Sequence, residues 1–321
     1  MKKIASILLA ACMLISFAAC GGKGDSTGSK VYTVGICQWV QHDALDQATE
    51  GFKAELIAQL GEENVKFVEQ NASNDTGTCT NIISNFVSTN VDLIMANATP
   101  ALQTAVSATT TIPILGTSVT EYGVALELDN FSGTVGGNVS GTSDLAPLDQ
   151  QAQMILDLVP NAKNVGLLYC SGEPNSAYQV KVVKEYLAGK SINVTEYPFS
   201  DANDIAAVTT AAANNSDVIY IPTDNTAASS AGIIDGICRP AKVPVVCGEA
   251  GICKGCGIAT LSISYYKLGE KTGAMAAQIL KGESDISTMA IQYDEDVVKT
   301  YNKAICDELG IKVPADYVEL S

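Results

Sequence analysis

The chain has 321 residues, a net charge of −16 from 19 Lys+Arg against 35 Asp+Glu, and single copies of His and Trp. So acidic a surface, with Arg239 as its sole arginine, lacks the basic stripe that nucleic acid or anionic headgroups require, and one histidine, His42, excludes a multi-His metal centre. A chain of this length buries ample core and, above about 250 residues, divides into two lobes.

Lys2 and Lys3, the apolar run from Ile4 to Phe17 and the small pair Ala18-Ala19 read as a signal peptide over residues 1–19. Its apolar core is too short to span a bilayer comfortably. Cys20 follows at once, and Phe17-Ala18-Ala19-Cys20 resembles the lipobox of bacterial lipoproteins, which implies lipidation of Cys20. Residues 20–30, rich in Gly, Ser and Thr and without a large apolar residue, form the anchor and a flexible tether.

From Val31 onward short apolar runs alternate with amphipathic stretches, the pattern of a doubly wound α/β sheet. Strands are expected at Val31–Cys37, Val65–Gln70, Asp92–Ala96 and Pro113–Leu115, then again at Asn164–Cys170, Asn193–Tyr197, Asp217–Ile221 and Pro244–Cys247. Helices over Ala44–Leu60 and Ser176–Leu187 follow from their apolar spacing. The two series align: Val34-Gly35-Ile36 with Val165-Gly166-Leu167, and Ile112-Pro113-Ile114 with Val243-Pro244-Val245. The chain therefore reads as two similar parallel-sheet lobes, with a ligand expected outside the carboxyl ends of the strands.

Those strand ends carry hydroxyls, amides and carboxylates. Gln38, Trp39 and His42 follow the first strand, and Ser171, Glu173, Asn175 and Ser176 follow its repeat. Thr99 and Pro100 follow the third, with Thr223, Asp224 and Asn225 after its repeat; Thr117 and Ser118 follow the fourth, with Glu249 after its repeat. Helix N-termini at Thr99-Pro100 and Asn225 would offer N–H groups to a carboxylate. Asp144, Glu173, Asp224 and Glu249 are the candidates for an ammonium, and Trp39 and Tyr265 for aromatic walls. Such residues also cap helices, and His42 stands just before Asp43, the expected N-cap.

At His42-Asp43-Ala44-Leu45-Asp46, Asn97-Ala98-Thr99-Pro100-Ala101, Val139-Ser140-Gly141-Thr142-Ser143-Asp144-Leu145, Leu156-Asp157-Leu158-Val159-Pro160-Asn161-Ala162 and Tyr220-Ile221-Pro222-Thr223-Asp224-Asn225-Thr226 the chain resembles the tryptophan/tyrosine-type substrate-binding lipoproteins of ABC importers. Ala101, within one of these segments, joins the candidate contacts. The resemblance implies a type I periplasmic-binding-protein fold with three crossings near Gly141, Leu261 and Gly282. Lobe 1 is then 31–142 plus about 262–282, and lobe 2 is 143–261 plus about 283–321. It implies a monomer that captures an amino acid, often aromatic, outside the cell and delivers it to a permease with an ATPase partner, without a cofactor. Trp39 departs from the family's smaller apolar residue at that place, and Thr117-Ser118-Val119-Thr120-Glu121 matches only loosely. A sugar or nucleoside binder, or a receptor for a sensor, has the same outline.

Cys253-Lys254-Gly255-Cys256 is a CxxC, with Cys238 and Cys247 close by. It admits a disulfide, a redox pair or half a zinc site, and so a thiol or metal enzyme. No second CxxC is present, and Cys37, Cys170 and Cys247 close strands where a thiol behaves as a small hydrophobe. A nucleophile would have only His42 as its base, so no enzyme is expected.

Overall fold

The computed structural model describes residues 30–320; the expected signal peptide and the expected lipidation site at Cys20 lie outside them. The chain opens β1 (Tyr32–Gln38), α1 (Asp43–Leu60), β2 (Val65–Asn71), α2 (Thr76–Ser88), β3 (Leu93–Asn97), α3 (Thr99–Ala108), β4 (Ile114–Val119), α4 (Tyr122–Ala125) and β5 (Val139–Ser143). Next come α5 (Leu148–Leu158), β6 (Asn164–Cys170), α6 (Pro174–Ala188), β7 (Asn193–Phe199), α7 (Ile205–Asn215), β8 (Val218–Ile221), α8 (Asn225–Ser229), α9 (Ala231–Cys238), β9 (Val245–Cys247), α10 (Ala250–Cys256) and β10 (Ala259–Ser262). It closes with α11 (Tyr265–Lys281), β11 (Gln292–Tyr293), β12 (Val298–Tyr301), α12 (Lys303–Leu309) and β13 (Val318–Glu319).

Two sheets result, in the orders β11-β5-β4-β3-β1-β2 and β13-β12-β10-β9-β8-β6-β7. The first is wholly parallel, because every strand-to-strand connection within it runs over a face of the sheet. The second is parallel from β7 to β10, with β12 antiparallel to β10. β1 and β6, the strands with matching Val-Gly-apolar cores, hold the same place in their sheets, each between the strand that follows it and the one after that. Their strands read as near-continuous apolar runs because both faces are covered by helices.

The chain leaves the first sheet after Ser143, returns to pack α11 on it after Ser262, and leaves again between Tyr293 and Val298. The third passage thus falls beyond the expected Gly282, which instead closes α11 in a left-handed conformation. Residues 292–293 add an edge strand to the first sheet before the chain departs. Helix α11 joins α1 along small residues: a Cβ on Gly273 would stand 2.7 Å from the Phe52 carbonyl oxygen, so the two backbones touch.

Candidate functional site

Parallel strands in both sheets end at one shared cleft, so residues just past β1, β3, β4, β5, β6, β8 and β9 meet there. Side-chain contacts cross it. His42 Nε2 and Asn225 Oδ1 are 3.3 Å apart, Asn74 Nδ2 donates to Thr226 Oγ1 at 3.2 Å, and Lys254 Nζ of α10 stands 3.9 Å from Asp43 Oδ2 at the start of α1. The lobes are closed on each other, and Asp144, Glu173, Asn175, Asp224, Glu249 and Tyr265 are all buried.

Burying four carboxylates with no lysine or arginine at hand is costly unless donors satisfy them. Glu173 takes five donors: the backbone and side-chain amides of Asn225, the backbone and hydroxyl of Thr226, and Asn175 Nδ2. Asp224 accepts Ala227 N at 2.8 Å, capping α8, and Cys170 N at 2.6 Å, tying α8 to β6. Glu249 caps α10 through Gly251 N and Ile252 N. These three are fastened to their own lobe, with oxygens that already serve backbone donors in addition to any contact with an ammonium. Asp144 differs. Its Oδ2 accepts the Tyr265 hydroxyl at 2.9 Å, and its Oδ1 is buried without a protein partner. Burial pushes its carboxyl above the usual range, against the pull of Tyr265, Thr120 and, more weakly, His42.

The helix ends separate in the same way. At α8, Glu173 and Asp224 consume the first-turn N–H groups, so the anion site expected at Asn225 is occupied from within. At α3 the N-cap is Ala98, with φ 91° and no side chain to cap it, which leaves the positive end of α3 open to the cleft at Thr99 and Pro100. Ser118, on the neighbouring β4, also has a left-handed backbone (φ 54°), and its buried hydroxyl has no protein partner. Trp39 Nε1, His42 Nδ1 and Asn175 Oδ1 are likewise buried without one.

The remaining candidates are spent on structure. Gln38 donates to Val40 O and Asp46 Oδ1 and accepts from Thr49, so it turns toward α1. Thr117 bonds Thr142 and Thr272. Ala101 sits in the core of the first lobe. Ser171 donates to Phe199 O, Ser176 accepts from Asn175, and the Thr223 carbonyl accepts from Asn175 and Gln179. His42 is itself the extended N-cap residue, with α1 beginning at Asp43, one residue earlier than expected. A cavity of about 680 Å³ opens at the lip of the cleft, lined by Trp39, Pro100 and Glu173 together with Asn74, Thr104 and Ser200. The last three were missed, although Asn74 and Ser200 follow β2 and β7 and obey the same strand-end rule.

Asp144, Asp224 and Glu249 are all raised by burial, Asp224 to about 8 with the Glu173 carboxylate adding to the rise. A carboxyl whose pKa is higher folded than unfolded binds extra protons in the folded state, so stability falls as pH climbs from about 4 to about 8. The Tm without ligand is therefore expected to be higher at pH 5.5 than at pH 8, with a smaller difference in Asp224→Asn. A Tm that rises over this interval would contradict the assignment.

Among the described residues no group of His, Cys, Asp and Glu is arranged to hold a metal. All eight described cysteines are buried and unbridged, which corrects the disulfide considered for Cys253 and Cys256: both lie within α10, where Cys256 donates to Ile252 O.

The family described as ABC transporter substrate binding protein matches residues 33–319. A tyrosine-binding protein of Clostridioides difficile is 34% identical over 92% of this chain and 90% of its own length. An ABC domain from Streptococcus pneumoniae in complex with L-Trp is 30% identical and superposes with a TM-score of 0.86, covering 90% of this chain and 99% of that one. A ligand-free, open structure of a substrate-binding protein with adhesive properties from Clostridium difficile is nearer in sequence, 37% identical over 91% and 100% of the chains, yet superposes at only 0.68. The better match to the L-Trp complex agrees with the contacts that close the cleft here. With its two parallel-sheet lobes and three crossings, the chain belongs to the ABC transporter substrate-binding proteins of the type I periplasmic-binding fold, and like its relatives it is a binding protein and not an enzyme.

Proposed function

We propose that the protein is the lipid-anchored, extracytoplasmic receptor of an importer, closing on an aromatic L-amino acid and presenting it to a permease driven by an ATPase. The observation that carries the reading is Asp144: a buried carboxylate with one oxygen held by the neutral Tyr265 hydroxyl and the other without a protein partner, so that no lysine or arginine bonds to it. A ligand ammonium supplies the missing positive donor. The ligand carboxylate is then met by the open N-terminus of α3 and the Ser118 hydroxyl, in keeping with Arg239 being engaged elsewhere by Asp235 and Glu308. Trp39, which packs in the core of the first lobe and also lines the cleft, offers an apolar face and an N–H to the side chain. The ligands of two relatives, tyrosine and L-Trp, support the aromatic choice.

Attachment in this reading is through an acylated Cys20 and its tether, supported by Phe17-Ala18-Ala19-Cys20. A thermal-shift screen of the twenty amino acids, nucleosides and common sugars tests the ligand. Tyrosine, tryptophan or phenylalanine is expected to bind with roughly micromolar Kd, about 8 kcal/mol. At ~100 Kd it should stabilise the protein by about 2.7 kcal/mol. A shift with a sugar or nucleoside and none with any amino acid sinks the reading while leaving the fold.

A further inference from the structure

Cys37, near the end of β1, and Cys79, in the first turn of α2, place their sulfurs 3.7 Å apart in a fully buried contact. No role in ligand capture uses them. A disulfide needs the sulfurs at about 2.05 Å, so closure requires an approach of somewhat under 2 Å between side chains that already touch. The cleft cavity reaches their immediate neighbours. Thr104 stands beside Cys79, and it lines the cleft cavity together with Thr76 and Thr80 of the same α2 and with Trp39, two residues beyond Cys37. A second thiol group is formed by Cys247 against Cys253 and Cys256 of α10, buried among apolar side chains and lining no cavity at the cleft, and Cys306 donates to the Ile258 carbonyl.

We infer that Cys37 and Cys79 are a peroxide-sensitive pair that closes to a disulfide, joining β1 to α2 beneath the cleft. The two sulfurs share a hydrogen bond in which either can donate, and Cys79, with the Thr104 hydroxyl beside it on the side of the cleft cavity, serves as the attacking thiolate. The Cys79 sulfur attacks a peroxide oxygen. The S–O bond forms, the O–O bond breaks, and the departing hydroxide takes the proton released by Cys79 and leaves as water. The Cys37 sulfur then attacks the sulfenic acid, forming the S–S bond as the S–O bond breaks, and the hydroxyl leaves as a second water with the Cys37 proton. Two thiols and one hydrogen peroxide become one disulfide and two waters.

The cross-link closes a loop of about 40 residues and so restricts the unfolded chain. It also fixes the segment carrying Trp39 to the helix that follows Asn74, which bonds across the cleft.

The test is to expose the purified protein to hydrogen peroxide, alkylate under denaturing conditions and map the peptides. The expected result is one bond between Cys37 and Cys79, a mass loss of two hydrogen atoms, reversal by dithiothreitol, and a Tm several degrees above that of the reduced protein. Cys79→Ser and Cys37→Ser each abolish the bond. Because either variant is able to perturb the core, thiol mapping of the untreated and treated wild type stands as the primary measurement. Alkylation of both cysteines after treatment, a bond between Cys253 and Cys256 instead, or irreversible oxidation of Cys79 would each overturn the inference.

Discussion

Asp144→Asn is expected to weaken binding of the aromatic amino acid about 100-fold or more, measured by calorimetric titration, while the Tm of the ligand-free protein stays level or rises. Truncating one member of a buried charged pair costs roughly 2–5 kcal/mol in binding. The substitution is specific for charge, since the asparagine Oδ1 still accepts the Tyr265 hydroxyl and keeps that ring in place. Removing a carboxylate whose pKa burial has raised relieves the folded protein of a desolvation cost, which is why stability should not fall. Glu249→Gln supplies the contrast. Its cap to Gly251 N and Ile252 N weakens by on the order of 1 kcal/mol while the same burial cost is relieved, so its Tm stays near wild type and its affinity is unchanged. Affinity within a few-fold of wild type in Asp144→Asn would remove the ammonium from this carboxylate. An ammonium arriving at Asp144 also favours its ionised form, so binding should release a proton and tighten as pH rises above the ordinary carboxylate range.

How far this site was legible before the coordinates depends on whether its determinants are local. The repeat of Val34-Gly35-Ile36 in Val165-Gly166-Leu167 placed β1 and β6 correctly because an apolar run between turn residues has one stable use in a two-layer α/β fold. From there the strand-end rule names Trp39, His42, Ser118 and Asn175, and Asp144 enters only as a candidate carboxylate, its strand β5 not being among those expected; all five carry a buried polar atom without a protein partner. Composition at the rim does not reveal which carboxylates are already committed. Glu173 is consumed by donors from Asn225 and Thr226, more than fifty positions away, and no periodicity signals that pairing. Asp224 carries a recognisable cap signal in Asp-Asn-Thr-Ala, yet its bond to Cys170 N is again non-local. The late third crossing has a similar cause: β11 is two exposed residues whose place in the sheet comes from pairing with Thr142 and Ser143, not from hydrophobic pattern. Asn74 was the avoidable omission, since it follows a strand that had been expected.

Gly269→Ala is expected to destabilise the protein by ~3 kcal/mol, although alanine is the better helix former by about 1 kcal/mol. The added methyl on α11 would press into the Ala48 carbonyl oxygen and stand 2.8 Å from Phe52 N, both of them backbone atoms of α1 that have no rotamer to yield. Gly51 makes the reciprocal approach toward the Tyr266 carbonyl, so the two helices must part along their contact. For a chain of this size that corresponds to a Tm lower by roughly 6 °C. Gly232→Ala, in α9 with nothing within 4 Å of the new methyl, isolates the propensity effect and should raise the Tm slightly. The consequence reaches the cleft because both helices begin there: His42 immediately precedes α1 and Tyr265 opens α11. Parting them moves His42 away from Asn225 and the Tyr265 hydroxyl away from Asp144, so ligand affinity should fall together with stability in Gly269→Ala and remain unchanged in Gly232→Ala. A Gly269→Ala protein as stable as wild type would show that α1 and α11 have room between them and that their small residues do not set the spacing of the cleft.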